Sequence, residues 1–206
     1  MKLHRLFEVE PDEEDLYWRK PKVNDLWALD KLILSKKLGY ECGPAGIDVT
    51  KEGDYIVRPC VNIFGLGFGA KKMHLTKKTL HLPVGTFWCE WFEGRHLSID
   101  YKNKKQVLCV EGHKQKDTFT KWDKWIKTND KLPFPNILKD LTDIELINCE
   151  YIGDKLIEVH LRHNEDFSDN ITEFIPVWKG QDTTPPAGYT YRDYPDVHGR
   201  IGAFIK

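Results

Sequence analysis

Between Leu75 and Gly112 the chain reads LTKKTLHLPV, GTFWCEWFEG, HLSIDYKN and KQVLCVEG, segments that alternate apolar and polar residues and are separated by Gly, Pro or Asn. Alternation puts successive side chains on opposite faces of a strand, so these segments predict a meandering sheet. Two further strands, IELINCEYIG and DKLIEVHLRH, flank a tight-turn sequence at Gly153 and Asp154. Another strand is expected around Glu173 to Lys179, then a turn at QDTTPPAG and a last apolar piece, RIGAFIK. Upstream, Asn24 to Gly39 carries Leu26, Leu29, Ile33 and Leu34 at helical spacing, with Asn24 as N-cap and Gly39 as stop. DYIVRP, Asp54 to Pro59, predicts a strand that runs into the glycine-rich loop NIFGLGFGA. Helices are also expected between Thr118 and Lys131, with Trp122, Trp125 and Ile126 on one face, and near Asn136 to Leu141. This order describes an α+β protein with mostly antiparallel strands rather than an alternating βαβ protein.

With 40% hydrophobic and 31% charged residues in 206, disorder and membrane spanning are poor readings. The formal net charge of -1 favours neither nucleic acid nor an anionic membrane globally, yet Lys71 to Lys139 holds 15 Lys or Arg against 7 Asp or Glu. Cys42, Cys60, Cys89, Cys109 and Cys149 are odd in number, widely spread and free of any C-x-x-C pair, which predicts free thiols in a reducing compartment. With no signal-peptide core at the N-terminus, a cytoplasmic location is expected.

Two constellations carry chemistry. Arg58 ends a strand beside a loop containing Gly65, Gly67 and Gly69, and a fixed cation next to backbone that a ligand can approach closely suits a polyphosphate. The spacing matches neither the dinucleotide fingerprint nor the P-loop, and a tightly packed hairpin would explain the glycines equally well. The acidic hairpin offers Glu145, Glu158, His160 and Asn164: residues 158 and 160 share a strand face, and a neighbouring strand is expected to bring Glu145 beside them. Such oxygen ligands suit Mg2+, while an ordinary solvated strand face is the plainer alternative. His160 and His163, three apart on a strand, point to opposite faces and make a poor zinc pair.

In this order the motifs resemble the ATP-grasp superfamily of carboxylate ligases, from about Asp25 to Phe167. Asp30-Lys31 matches the family's Asp-Lys at the start of a helix, although these residues fall inside the predicted one. YIVRP and NIFGLGFGA match its strand and glycine flap. CEWFEGRHLSID keeps the frame of the hinge, and ELINCEYIGDKLIEVHLR supplies Glu145, Glu158 and Arg162 for the acidic pair and arginine. The resemblance implies two small lobes clasping a nucleotide cleft: an N-terminal extension over 1–23, an N-lobe with the flap over 24–88, and a C-lobe over 89–206. A separate N-terminal substrate domain is expected to be missing.

Carried over residue by residue, the resemblance implies that Lys31 and Arg58 contact the ATP phosphates and that Gly65 to Gly69 closes over them. Glu90, Trp91 and Phe92 would form the hinge beside adenine. Glu145 and Glu158 would hold Mg2+, with Mn2+ as an alternative, and Arg162 would stabilise an acyl phosphate. Arg58 stands for the usual lysine. His96 stands where a ribose-binding glutamate is expected, so Asp100 or Glu93 would have to substitute. His160 occupies the position of a metal-binding asparagine, as a ligand or as the mark of a weakened site. The implied activity is ATP-dependent amide ligation, with ATP and an acceptor on a peptide, protein or nucleic acid as partners and no membrane. The alternative is a non-catalytic nucleotide- or nucleic-acid-binding module.

Overall fold

Asp30 interrupts the long helix expected over Asn24 to Gly39. A 3-10 helix, Val23–Leu29, ends there, and helix α1, Lys31–Lys37, begins. Asp30 is extended, with φ -88 and ψ 108, and its carboxylate accepts the Ile33 N–H at 2.9 Å, as an N-cap does. The Asp30-Lys31 pair therefore stands at a helix start after all. Leu34 is fully buried and Leu29 packs on the core, but Leu26 and Ile33 are 37% and 40% exposed. The side chain that turns inward instead is Lys31, only 6% exposed. Gly39, at φ 78, ends the helix as expected.

The computed structural model describes residues 22–61, 67–79, 81–114, 119, 121–141, 144–167, 170–197 and 199–206, apart from the side chains of 195–197. Most of the expected N-terminal extension, the flap residue Gly65 and the start of the predicted helix at Thr118 lie outside the described residues.

Among the described residues the strands form two antiparallel sheets. The smaller has the order β1-β4-β2-β3 and consists of β1 (Cys42–Pro44), β2 (Gly53–Pro59), β3 (Lys71–Leu75) and β4 (Thr86–Glu90). Tyr55, Val57, Leu75 and Trp88 form its core on one face, and the alternation of β2 sends Ile56 and Arg58 to the other. The register pairs Ile56 with Lys72 and Asp54 with His74, which places those side chains on that second face too. Of the described residues of LTKKTLHLPV, Leu75 alone lies in a strand, since β3 ends there.

The larger sheet has the order β11-β12-β10-β7-β6-β5-β8-β9. Its strands are β5 (His96–Lys102), β6 (Lys105–His113), β7 (Lys124–Lys127), β8 (Leu146–Ile152), β9 (Lys155–His160), β10 (Glu173–Trp178), β11 (Thr190–Val197) and β12 (Arg200–Ile205). Leu97, Ile99 and Tyr101 of β5, Ile147, Cys149 and Tyr151 of β8, and Leu156 and Val159 of β9 share one buried face, covered by Ala28, Leu34, Leu138 and Leu141. Burial of apolar surface contributes roughly 25 cal/mol per Å², so this layer stabilises the larger sheet against the elements that cover it.

The helix expected between Thr118 and Lys131 is a strand, β7, lying between β6 and β10. Its sequence KWIK alternates, and its backbone hydrogen bonds go to both neighbours. Trp122 and Trp125 meet over Gly112 of β6: a Cβ built there would lie 2.6 Å from Trp122 and 2.8 Å from Trp125. Only a residue without a side chain permits that approach. Gly112→Ala is accordingly expected to cost about 1–3 kcal/mol by overpacking, read as a lower urea midpoint with an unchanged slope. The second expected helix shrinks to a 3-10 turn, Asn136–Leu138.

Candidate functional site

The face of the larger sheet opposite its apolar core is polar. Register places Ser98 beside Glu150 and Glu150 beside Glu158 in one row, and Asp100 beside Asn148 and Asn148 beside His160 in the next. Ser98, Asp100, Asn148 and His160 are all buried, so this face needs internal partners. A bulge between Glu150 and Tyr151 adjusts the register so that Glu158 faces Glu150 while Leu156 and Val159 stay in the core.

Two cations from elsewhere in the chain close on this face. Lys31 Nζ, from α1, lies 3.3 Å from Glu158 Oε1, and Arg58 Nη1, from β2 of the smaller sheet, lies 3.9 Å from Glu158 Oε2. Arg58 Nη2 donates to the Ile157 carbonyl at 2.8 Å, so one guanidinium bridges the two sheets. The Lys31 backbone N–H donates to the Cys60 carbonyl at 2.7 Å, fixing the helix start against the end of β2. His160 Nε2 stands 3.4 Å from Glu158 and 3.9 Å from Glu150, while His96 Nε2 is 3.0 Å from Glu150. The ring of His96 meets the edges of Trp122 and Trp125.

Electrostatics follow from this packing. Burial pushes the Glu150 carboxyl up, but the hydrogen bond and charge of His96 and the nearby His160 outweigh burial and hold it below the usual range. A carboxylate depressed in the folded state contributes stability above its unfolded pKa and loses it as pH falls through the folded value. Glu150→Gln should therefore lower the denaturation midpoint at neutral pH, with the gap to wild type closing as pH falls through the depressed folded value of the carboxyl. Asp100 shifts the other way: burial raises it, against the Asn148 amide at 2.8 Å and the Asn164 N–H at 3.0 Å.

Of the residues named from sequence, Lys31, Arg58, His96, Glu158 and His160 come together here. Glu145 does not. It lies before β8, well exposed, and pairs with Lys102 at 3.2 Å. The acidic residue that faces Glu158 is Glu150, because the hairpin turns at Gly153 and brings position 150 opposite 158. Nor is Asp100 available as a substitute for a ribose ligand, since it is 3% exposed and committed to Asn148 and Asn164, whereas Glu93 is exposed. Arg162 follows β9, half-buried, and donates to the His163 carbonyl at 3.1 Å.

Glu90 uses its carboxylate to accept the Glu41 N–H at 2.9 Å. Phe92 meets Tyr40 edge-on at 4.8 Å. Trp91 lies under Lys72 Nζ, 4.6 Å from the ring centre, and edge-on to Phe119. A cavity of about 550 Å³ opens alongside, lined by Asp54, Lys71, Lys72, His74 and Phe119. Gly67 borders Phe119 so closely that a Cβ would sit 2.7 Å from its carbonyl oxygen, and its φ is 68. Glu150, Lys72 and Phe119 were not singled out from sequence. The signal for Lys72 was its place two residues into the strand after the glycines, on the face shared with Arg58.

Among the described residues no three His, Cys, Asp or Glu side chains are gathered into a metal-binding group, and no helix is long and apolar enough to cross a membrane. No family model and no curated protein matches this chain. Among solved structures it is similar to a D-alanine–D-alanine ligase from Bacillus anthracis complexed with ATP, at 14% identity and a TM-score of 0.41 over 66% of this chain and 55% of that one. It is also similar to a protein from Archaeoglobus fulgidus placed in the ATP-grasp superfamily, at 13% identity and 0.49 over 86% and 63%. A third is the ATP-grasp ligase PsnB complexed with a minimal precursor, at 13% and 0.39 over 66% and 51%. The chain thus spans between about half and three fifths of the length of these structures.

Proposed function

We propose that this chain binds Mg-ATP between its two sheets and uses it to join a carboxylate to an amine, in the manner of ATP-grasp ligases. The observation that carries the reading is the convergence of Lys31 and Arg58, from separate elements of the N-terminal half, on Glu158 of the acidic hairpin. A buried polar atom tests the fit: among the described residues, Arg58 Nε meets no hydrogen-bond partner. A buried N–H without an acceptor is costly, and a phosphate oxygen is the kind of acceptor that would satisfy it.

In this reading Lys31 and Arg58 turn from Glu158 to phosphate oxygens, and the glycine flap at Gly67 and Gly69 lets backbone approach them. Trp91, Lys72 and the cavity beside Phe119 suit the base end of the nucleotide, an aromatic face with a cation above it. Glu150 and Glu158, freed of their internal cations, are the carboxylates that would hold the divalent ion, with His160 as a nitrogen donor. Mg2+ commonly takes one or two carboxylates plus substrate phosphates, so a preformed three-ligand cage is not required. When bound, the ion neutralises phosphate charge and aligns the γ-phosphoryl group. The acceptor carboxylate attacks that group, ADP leaves, and the amine displaces phosphate from the acyl phosphate. Arg162 is assigned to stabilise the charge of the last two species. The expected lobe boundary at Cys89 falls inside β4 of the smaller sheet, so in this scheme the lobes divide after Glu90.

Incubating the chain with Mg-ATP and a panel of amino acids and short peptides is expected to give ADP release that depends on both a carboxylate and an amine. ADP production equal in the absence of any acceptor would mean simple hydrolysis and would remove the ligase assignment.

A further inference from the structure

β1 and β4 bring two cysteines that lie far apart in sequence to directly opposite positions, with the register Cys42↔Cys89, Gly43↔Trp88 and Pro44↔Phe87. The hydrogen bonds around the pair fix its type. Glu90 N–H donates to the Glu41 carbonyl at 2.9 Å and Ala45 N–H to the Thr86 carbonyl at 3.0 Å. In an antiparallel ladder hydrogen-bonded pairs alternate with non-hydrogen-bonded ones. With 41↔90 and 45↔86 bonded, 43↔88 is bonded as well and Cys42↔Cys89 is a non-hydrogen-bonded pair. Such pairs hold their Cα atoms about 4.5 Å apart with side chains close on the same face, inside the 4.4–6.8 Å range that a disulfide spans.

The register is locked by packing. Trp88 lies against Gly43, where a Cβ would come within 2.7 Å of the ring, and its indole N–H donates to the Ile47 carbonyl at 2.8 Å. A slip by one residue would break both. We propose that Cys42 and Cys89 form a dithiol pair that oxidises to a cross-strand disulfide next to Glu90. This inference does not depend on the nucleotide reading.

With a peroxide as oxidant, the half-buried Cys42 attacks as thiolate and its sulfur takes one peroxide oxygen, giving a sulfenic acid and one water. The Cys89 sulfur then attacks that sulfenic sulfur, the S–S bond forms, and the hydroxyl leaves as a second water with the Cys89 proton. Two thiols lose two electrons in all, and the peroxide O–O bond takes them up. Both thiols are held in the protonated form. Burial raises Cys42, with Glu90 adding to it and Lys36 opposing. Cys89 is pushed up to about 12, chiefly by burial, with Arg58 opposing and Cys42 beside it adding to the rise. Because the thiolate is the reacting species, oxidation is expected to be slow at neutral pH and to quicken by about tenfold per pH unit on the alkaline side.

The test uses the full reduced chain, treated with hydrogen peroxide, quenched with an alkylating agent and mapped by mass spectrometry without reductant. The expected product is a linked peptide pair containing Cys42 and Cys89, lighter by two hydrogens, reversed by dithiothreitol, retained in Cys60→Ser and absent in Cys42→Ser. Since Cys89 is buried, the half-buried Cys42 carries the variant, and an unchanged circular dichroism spectrum for Cys42→Ser shows that folding is preserved. Recovery of Cys89 as the free alkylated thiol while Cys42 proceeds to sulfinic acid would overturn the proposal. So would a link from either cysteine to Cys60.

Discussion

Glu158→Ala is expected to lose about 3–5 kcal/mol of folding stability, because it removes the carboxylate that offsets the repulsion between the buried Lys31 and Arg58. Both cations are nearly inaccessible to water, with side chains 8% and 10% exposed. Bulk solvent therefore screens little of the repulsion. Glu158→Gln keeps the volume and one acceptor oxygen, and should cost less. Both variants are expected to abolish ADP release, since neither supplies the charge assigned to the divalent ion. Denaturant melts of the two proteins alongside an ADP assay separate the effects. Unchanged turnover in Glu158→Gln would remove Glu158 from the metal role, and an unchanged urea midpoint in Glu158→Ala would remove it from the ion cluster. The buried cations show why the glutamine variant is the cleaner probe.

Arg58→Met is the second large effect. Methionine fills much of the same space beside Phe87, whose ring lies 5.4 Å from the guanidinium carbon. It cannot donate to the Ile157 carbonyl or offer an N–H to phosphate. Removing one fixed donor from a site where charge develops commonly costs about a hundredfold to a thousandfold in turnover, and a loss of that order is expected here. Glu158 retains Lys31, so the fold should tolerate the change better than it tolerates Glu158→Ala. Arg58→Lys is expected to recover part of the activity, because it keeps the charge while losing the planar fork.

The strands were legible because alternation and turn residues are local signals. β5, β6, β8, β9, β10 and β12 all begin and end close to where HLSIDYKN, KQVLCVEG, the Gly153 hairpin and the C-terminal segments place them. β7 was not, since KWDKWIK satisfies a period of three to four as well as a period of two, and only the slot between β6 and β10 decides between them. Asp30 was legible as part of an Asp-Lys motif but not as a cap, because the apolar spacing continues through it.

Lys31, Arg58, Glu158, His160 and His96 could be named in advance because motif order carries them. Glu150 was displaced by Glu145 in that reading, because spacing along the chain says nothing about where a hairpin turns or where a bulge shifts its register. Lys72 looked like one lysine in a basic stretch. Several cations there prove to be paired, Lys72 itself to Asp54, Arg95 to Glu111 and Asp130, Lys102 to Glu145, and Lys104 to the Lys139 carbonyl. The opposition of Cys42 and Cys89 depends on pairing between strands distant in sequence, and no spacing rule reveals it.

The central claim is that Arg58 and Lys31 form a phosphate site, and nucleotide-dependent stability tests it most directly. A ligand that binds only the folded state raises its melting temperature by mass action. Millimolar Mg-ATP is expected to give a saturable rise for wild type and little or none for Arg58→Met. No rise with ATP or ADP, in the presence of either Mg2+ or Mn2+, or an equal rise in Arg58→Met, would contradict the account.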